Sequence, residues 1–399
     1  MRDGQMDMFG VDYKSALRIW NFKRLLSENY EVVVTNPPYM GGKGQSGVIV
    51  EYLKNNYPDT KSDTFSAFIE RCGQLCKQNG YIGMFTPYVW MFIQSYEKLR
   101  RMICHGSDII TLIQFEYSAF EEATVPVCTF VLRNKKTGVT GEYLRLVDFR
   151  GGMEVQRIKT LEAIANRDCG FRYTVSVENF SKIPGSPISY WASENVLSSY
   201  ANISIKDISK PCKGIDTGNN DIFLRLWFEI DHNSFAHPES DLKKWVPYNK
   251  GGAYRKWYGN NEYVLDWSEN GLKLKSFRGS NLRNKDYYFH KGITWSTVTS
   301  AKPSFRYFTY GYVFDNGGCC LYANHLLIYI QALLNSCVAL HLMQISPTLN
   351  FQPGDIGRVP VIKSCIEVIE EITQRNIKLS WLNWDSFETS WDFKSHPLI

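Results

Sequence analysis

The sequence predicts an α/β fold: a sheet flanked by helices, followed by a mixed α/β unit that ends in helices. Three observations carry this reading. Residues 31–150 alternate short β-branched or apolar runs with segments of helical periodicity, the pattern of an α/β layer with a mostly parallel sheet. The first apolar run stops at a Pro-Pro pair, as a buried strand stops at a turn. Beyond residue 150 the chain changes to short strands, loops and many aromatics, and helical periodicity returns over 326–343 and 362–379.

Glu31-Val32-Val33-Val34-Thr35 is the first strand. Ser62 can cap the next helix, in which Phe65, Phe68, Ile69, Cys72 and Leu75 share one face and Asn79-Gly80 form the stop. Strand 81–86 follows at once, then a helix over 95–104 and strands over 109–115, 126–132 and 142–149. Lys182-Ile183-Pro184-Gly185-Ser186-Pro187 reads as a linker or turn. The expected domains are thus a sheet domain over 1–150, a second domain over 151–360 and a helical segment over 361–399.

The chain has 399 residues, 44% of them hydrophobic, 15% aromatic and 21% charged. That apolar fraction is enough to offset the entropy of ordering and excludes a disordered or collagen-like chain. Ten cysteines show no Cys-x-x-Cys or other metal-ligand spacing. They read as reduced, mostly buried thiols, and with a polar start at Met1-Arg2-Asp3-Gly4 they predict a cytoplasmic protein with no metal. Residues 316–354 lack Lys, Arg, Asp and Glu, yet Asn324, Gln331, Asn335 and other polar residues interrupt them. No span of about 20 apolar residues results, so a buried helix pair rather than a membrane segment is expected.

The net charge of +5 is unevenly placed: residues 241–310 hold 13 Lys/Arg against 5 Asp/Glu, and 16 aromatics. Interleaved basic and stacking side chains such as Lys243, Lys244, Trp245, Tyr254, Arg255, Lys256 and Trp257 suit a surface that tracks phosphates and stacks on bases. An aromatic core with a solvated basic rim explains the same composition equally well.

The strongest local signal is Asn36-Pro37-Pro38-Tyr39, directly after the first strand. Asn, Asp or Ser followed by Pro-Pro and an aromatic arises by chance in only about 1% of chains this long. Loops at the carboxyl ends of parallel strands form the ligand crevice of open α/β sheets. The exocyclic amine of a base is a weak nucleophile because its lone pair is delocalised into the ring. A catalyst that accepts hydrogen bonds from that NH₂ favours the pyramidal, reactive nitrogen. The Asn36 side-chain oxygen and the Pro37 carbonyl supply two such acceptors. Two prolines hold them in place before the base arrives, and Tyr39 offers a ring on which an extruded base stacks. Methyl transfer from a sulfonium needs alignment more than proton transfer, so no histidine or paired carboxylate is required.

Val33-Val34-Thr35-Asn36-Pro37-Pro38-Tyr39-Met40-Gly41 resembles the catalytic loop of N6-adenine DNA methyltransferases. The likeness is greatest to the large adenine-specific enzymes of the BREX phage-exclusion systems (PglX-like) and to related restriction–modification methylases. The resemblance extends over Ser62 to Arg71 and Gly80 to Pro87, then through Thr217 to Trp227, Gly292 to Ser296, Ala332 to Ser336 and Pro347 to Ile356. It implies a partial Rossmann-like methyltransferase sheet followed by a target-recognition domain that binds double-stranded DNA. It further implies S-adenosyl-L-methionine as cofactor, with Phe68 and Asp63 on the cofactor side. Phe120 would stack on the flipped adenine opposite Tyr39. Arg225, Lys243, Lys244, Arg255, Lys256 and Trp257 are candidates for DNA contact.

Members of that family carry, ahead of the catalytic loop, a strand and a Gly-x-Gly turn that hold the methionine part of the cofactor; here 30 residues precede the strand. Gly41-Gly42-Lys43-Gly44 follows the loop and reads as a flexible surface segment. The expectation is a chain with the base-side half of the site and the DNA-reading region. Its first strand presents an unpaired edge, so it associates with a complementing N-terminal methyltransferase segment or other defence-system subunits. A non-catalytic DNA-specificity module or a degenerate remnant is the competing reading. Glutamine-amide methylation, which the same loop would serve, is disfavoured by the large aromatic second domain.

Overall fold

A computed structural model describes residues 13–42, 44–117, 119, 125–299, 302–345 and 350–398. The chain divides into two compact units, 1–193 and 194–399. The division falls later than the expected boundary at 150, and residues 361–399 are part of the second unit rather than a separate segment.

The first unit is built on one six-stranded sheet: β1 (Tyr30–Thr35), β2 (Cys76–Pro87), β3 (Asp108–Gln114), β4 (Val127–Arg133), β5 (Thr140–Arg145) and β6 (Arg172–Ser176), in the order β1-β2-β4-β3-β5-β6. The sheet is mixed, not mostly parallel. β1 runs parallel to β2 and β3 to β5, whereas the β2–β4, β3–β4 and β5–β6 pairings are antiparallel. Helical crossovers join β1 to β2 and β2 to β3; β4 and β6 return in the opposite direction, which the spacing of apolar runs does not reveal.

The longer helices of this unit are α1 (Tyr13–Leu25), α2 (Gly47–Asn56), α3 (Thr64–Leu75), α4 (Glu97–Gly106) and α5 (Gly152–Ala165). α3 and α4 cover one face of the sheet, where Phe65, Ile69, Cys72, Leu99 and Ile103 meet Ile82, Met84, Leu112 and Phe130 in a single core. Asp63, one residue beyond the expected Ser62, caps α3. The helix also stops earlier than expected, at Leu75. Asn79 takes a left-handed conformation (φ 68°) within β2, where the β1–β2 register shifts between Tyr30 and Val32. Gly80 is required there, because a Cβ would lie 2.6 Å from the Glu31 carbonyl oxygen. Asn-Gly therefore marks an irregularity inside a strand and not a helix end.

The 182–187 segment is no linker. Ile183 and Ser186 are buried, and the buried Arg100 of α4 donates from Nε to the Gly185 carbonyl at 2.9 Å and from Nη1 to the Trp90 carbonyl at 2.8 Å. The turn is a counter-surface for α4.

The second unit holds two four-stranded sheets, with β7 (Lys210–Cys212), β8 (Leu224–Leu226), β9 (Trp245–Asn249), β10 (Tyr263–Asp266), β11 (Gly292–Trp295), β12 (Phe305–Phe308), β13 (Val313–Phe314) and β14 (Cys320–Tyr322) in the orders β13-β9-β10-β8 and β12-β11-β14-β7. The aromatics of 241–310 chiefly build its core: Trp245, Tyr248, Trp267, Tyr288 and Phe308 pack with Phe223, Phe314 and Tyr322. The core reading of that composition is the correct one, and a stacking surface of 16 rings is not present. Residues 327–335 and 337–343 form the expected helix pair, broken at Ser336, which ends the first helix and caps the second through Ala339 N at 3.1 Å. The C-terminal helix (Ile366–Asp385) lies on the first of these. Beyond it, Trp391 enters the core against Phe235. Among the described residues no helix is long and apolar enough to cross a membrane.

Candidate active site

β1 delivers the Asn36-Pro37-Pro38-Tyr39 loop at its carboxyl end, because a proline after Asn36 holds that residue extended and offers no N–H to prolong the ladder. Pro37 is buried, whereas Asn36, Pro38 and Tyr39 are exposed. Tyr39 Oη donates to Asn36 Oδ1 at 2.8 Å and lies 3.1 Å from the Phe85 carbonyl oxygen on β2. One hydroxyl proton serves both acceptors. Burial, with the nearby Cys128 thiol adding to it, pushes the Tyr39 phenol up to about 12, so the hydroxyl keeps its proton and donates across the neutral range. The ring stands edge-on to Phe65, with centroids 6.2 Å apart. No described donor reaches the Pro37 carbonyl. Asn36 Oδ1 retains a second lone pair beyond the one Tyr39 occupies.

The first turn of α3 holds this loop from the other side. Asp63 Oδ1 accepts from Met40 N at 2.8 Å while also capping Phe65 N at 3.3 Å. Thr64 Oγ1 donates to the Pro38 carbonyl at 2.6 Å, and Thr64 N donates to the Met40 carbonyl at 3.3 Å. Gly41, expected in a flexible segment, is bridged to Asp63 as an isolated antiparallel pair. Thr64 was not singled out by the sequence; its position after a capping Asp, at the start of the helix following the loop, is the signal that points to it.

The sequence-derived candidates separate on this geometry. Asn36, Pro37, Pro38 and Tyr39 form one site. Phe68 projects from the exposed side of α3, 40% accessible. Asp63, expected on the cofactor side, has its carboxylate engaged with the loop and the helix end. Phe120 lies outside the described residues. In the second unit, Arg225 Nη1 folds back on the carbonyls of Asp221 and Leu224, both at 2.6 Å. Lys256 Nζ donates to the Asn335 carbonyl at 2.7 Å, and Arg255 covers the ring of Trp384, 4.8 Å from its centre. Trp257 is half-buried with its backbone between Phe305 and Tyr307 (φ 73°). Lys243 and Lys244 are exposed, the latter 5.3 Å from the Trp245 ring centre. Four of the six DNA-contact candidates thus serve the unit's own packing. Among the described residues no group of three or more His, Cys, Asp or Glu is placed to hold a metal. Seven of the ten cysteines are buried, and all ten are free.

Phe68 exposes its ring one turn beyond Thr64 on α3, and β1 is the edge strand of the sheet, with Val32 58% and Val34 75% exposed on one of its faces. An Asn-Pro-Pro-Tyr loop at the carboxyl end of a strand in an α/β sheet is the arrangement that the resemblance to restriction–modification methylases implies. In agreement, residues 8–120 match the model of the Eco57I restriction-modification methylase family. Over 94% of its length the chain is 37% identical to the adenine-specific methyltransferase BrxX of Escherichia coli O9:H4 (strain HS), covering 31% of that protein. It is likewise 37% identical over 94% of its length to the adenine-specific methyltransferase PglX of Lacticaseibacillus casei (strain Zhang), covering 33% of it. The chain belongs to the family of these adenine-specific methyltransferases and spans about a third of their length. Its fold is similar to that of the Type IIL restriction-modification enzyme MmeI, solved in complex with DNA, with a TM-score of 0.56 and 12% identity over 92% of this chain and 52% of that one.

Proposed function

We propose that this chain contributes the base-side half of the active site and the DNA-reading unit of a phage-defence or restriction–modification methyltransferase, which methylates N6 of an adenine extruded from double-stranded DNA. The observation that carries this reading is the pair of acceptors on the β1 loop, Asn36 Oδ1 and the Pro37 carbonyl, beside an exposed tyrosine ring. Two N–H bonds on the adenine amine meet two acceptors, which draws the nitrogen lone pair out of conjugation and aims it. S-adenosyl-L-methionine supplies the methyl group when bound, and Phe68 is the described ring that would flank its adenine. After transfer the added positive charge makes the amine acidic, so its extra proton leaves to water without a dedicated base. Tyr39 releases Asn36 as the base enters and stacks on it instead.

The position of β1 at the edge of the sheet supports association with a complementing segment that adds strands beside it, because an edge strand offers unpaired backbone N–H and C=O groups. Lys243 and Lys244, both exposed, would contact phosphates. The reading is tested by mixing the chain with the segment that precedes the matching region in a BrxX relative, then adding radiolabelled cofactor and bacterial DNA. Label in N6-methyladenine is expected; DNA retained with no label in adenine would overturn it. The open β1 edge also favours a second reading, a DNA-specificity module that binds no cofactor by itself. Calorimetry on this chain decides: micromolar cofactor binding rejects the module, whereas salt-dependent DNA binding without it supports the module.

A further inference from the structure

The C-terminal helix is apolar on two opposite sides. One side, with Thr373, Ile377 and Trp384, is buried against the second unit. On the other, Val368, Ile372, Leu379 and Leu382 are 57%, 55%, 59% and 58% exposed, and with Arg375 they follow the alternating four-and-three spacing of a two-helix seam. A single-domain surface helix needs one apolar stripe, and a second along its whole exposed side is an unfilled contact.

The charges beside that stripe identify its occupant. Glu371 and Lys378 sit one heptad apart on the same flank, both exposed, and neither forms an ion pair among the described residues. When two copies of this helix pack antiparallel, one register satisfies the stripe and the flank together. Leu379 of one copy covers Val368 of the other, Ile372 lies along the aliphatic stem of Arg375, and Leu382 meets the exposed Cys365. In that register Glu371 of each copy faces Lys378 of the other, so two identical opposite-charge pairs form across the two-fold axis, with Arg375 beside Glu371 as well. Shifting by one heptad brings Lys378 against Lys378 and Glu371 against Asp385, which is repulsive throughout. The stripe is thus self-complementary in a single register, the requirement for a closed two-fold contact.

We propose that this chain pairs with a second copy of itself through the outward side of the Ile366–Asp385 helix, antiparallel, with Leu379 on Val368 and Glu371 on Lys378. A single helix pair falls below a standard interface, so the contact is weak, with dissociation in the micromolar range. The proposal stands apart from the methyltransferase reading and does not need it.

Sedimentation of the full chain at rising concentration is expected to show a monomer–dimer equilibrium. Glu371→Lys and Lys378→Glu should each weaken it at least about fivefold, and the double exchange should restore it to within about twofold, since the exchanged pairs are again opposite in sign. Leu382→Cys should form a disulfide across copies with native Cys365 under mild oxidation, and Cys365→Ser should abolish it. All of these positions are exposed, so circular dichroism should be unchanged. A monomer at every concentration, or a dimer indifferent to both single charge reversals, would overturn the proposal. So would a double exchange no better than its parents, which would assign the stripe to an unlike helix.

Discussion

At the scale of single residues, Asn36 and Asp63 separate the proposed chemistry from scaffolding. Asn36→Ala removes one acceptor and leaves β1 intact, so in the complemented enzyme turnover should fall by about 10²-fold or more. DNA affinity should stay within about threefold, and equal losses in rate and in binding would contradict the assigned role. Asp63→Ala removes a helix cap and the anchor of Met40 N at one stroke and should cost about 1–2 kcal/mol in thermal or denaturant unfolding. Asp63→Asn, which keeps an acceptor and caps well, should recover most of it. The shape of the Asn36–Tyr39 loop was legible in the sequence because its geometry is local: a β-branched run and two prolines fix strand end and turn within seven residues. Asp63 was legible as a residue but not in its task, because the cap and the hydrogen bond to Met40 compete for one carboxylate and only the fold shows that both are made by Oδ1.

At the scale of elements, the β5–β6 pairing carries a titratable link. Arg172 Nε donates to Glu142 at 2.7 Å, and that hydrogen bond, outweighing partial burial, holds the Glu142 carboxyl below its ordinary value. A carboxyl depressed in the folded state contributes stability above its unfolded value, about pH 4.3, and loses it as the pH falls through the lowered folded value. The stability difference between the native chain and Arg172→Met should therefore be full at pH 7 and close on the acid side of pH 4, measured by urea unfolding across that range. Element ends were the least legible feature. Asn79-Gly80 and Pro184-Gly185 have the composition of a helix stop and a linker, but the first serves a register shift against β1 and the second receives Arg100 from 85 residues away. Neither partner is visible in a local window.

For the whole molecule, composition located the positive charge and left open which side of the fold it occupies. Most rings of 241–310 face inward, and Lys256 and Arg255 brace the helices that follow, so Lys243 and Lys244 are the exposed candidates left for phosphate contact. Replacing both with Ala should lower the slope of log affinity against log salt by about 2, with little change in stability; an unchanged slope would place the phosphate contacts elsewhere. Strand direction was equally illegible, since parallel and antiparallel returns share the same apolar runs, and the mixed sheet emerges only from the ladder.

The double duty of Asp63 has one more consequence. A helix frays from its first turn, and here that turn and the Asn36–Met40 loop are anchored on the same oxygen atom, so movement of the Asp63 side chain releases both together. The amide hydrogens of Met40 and Phe65 should accordingly exchange with solvent deuterium in one shared opening event with matching protection, although one belongs to a loop and the other to a helix.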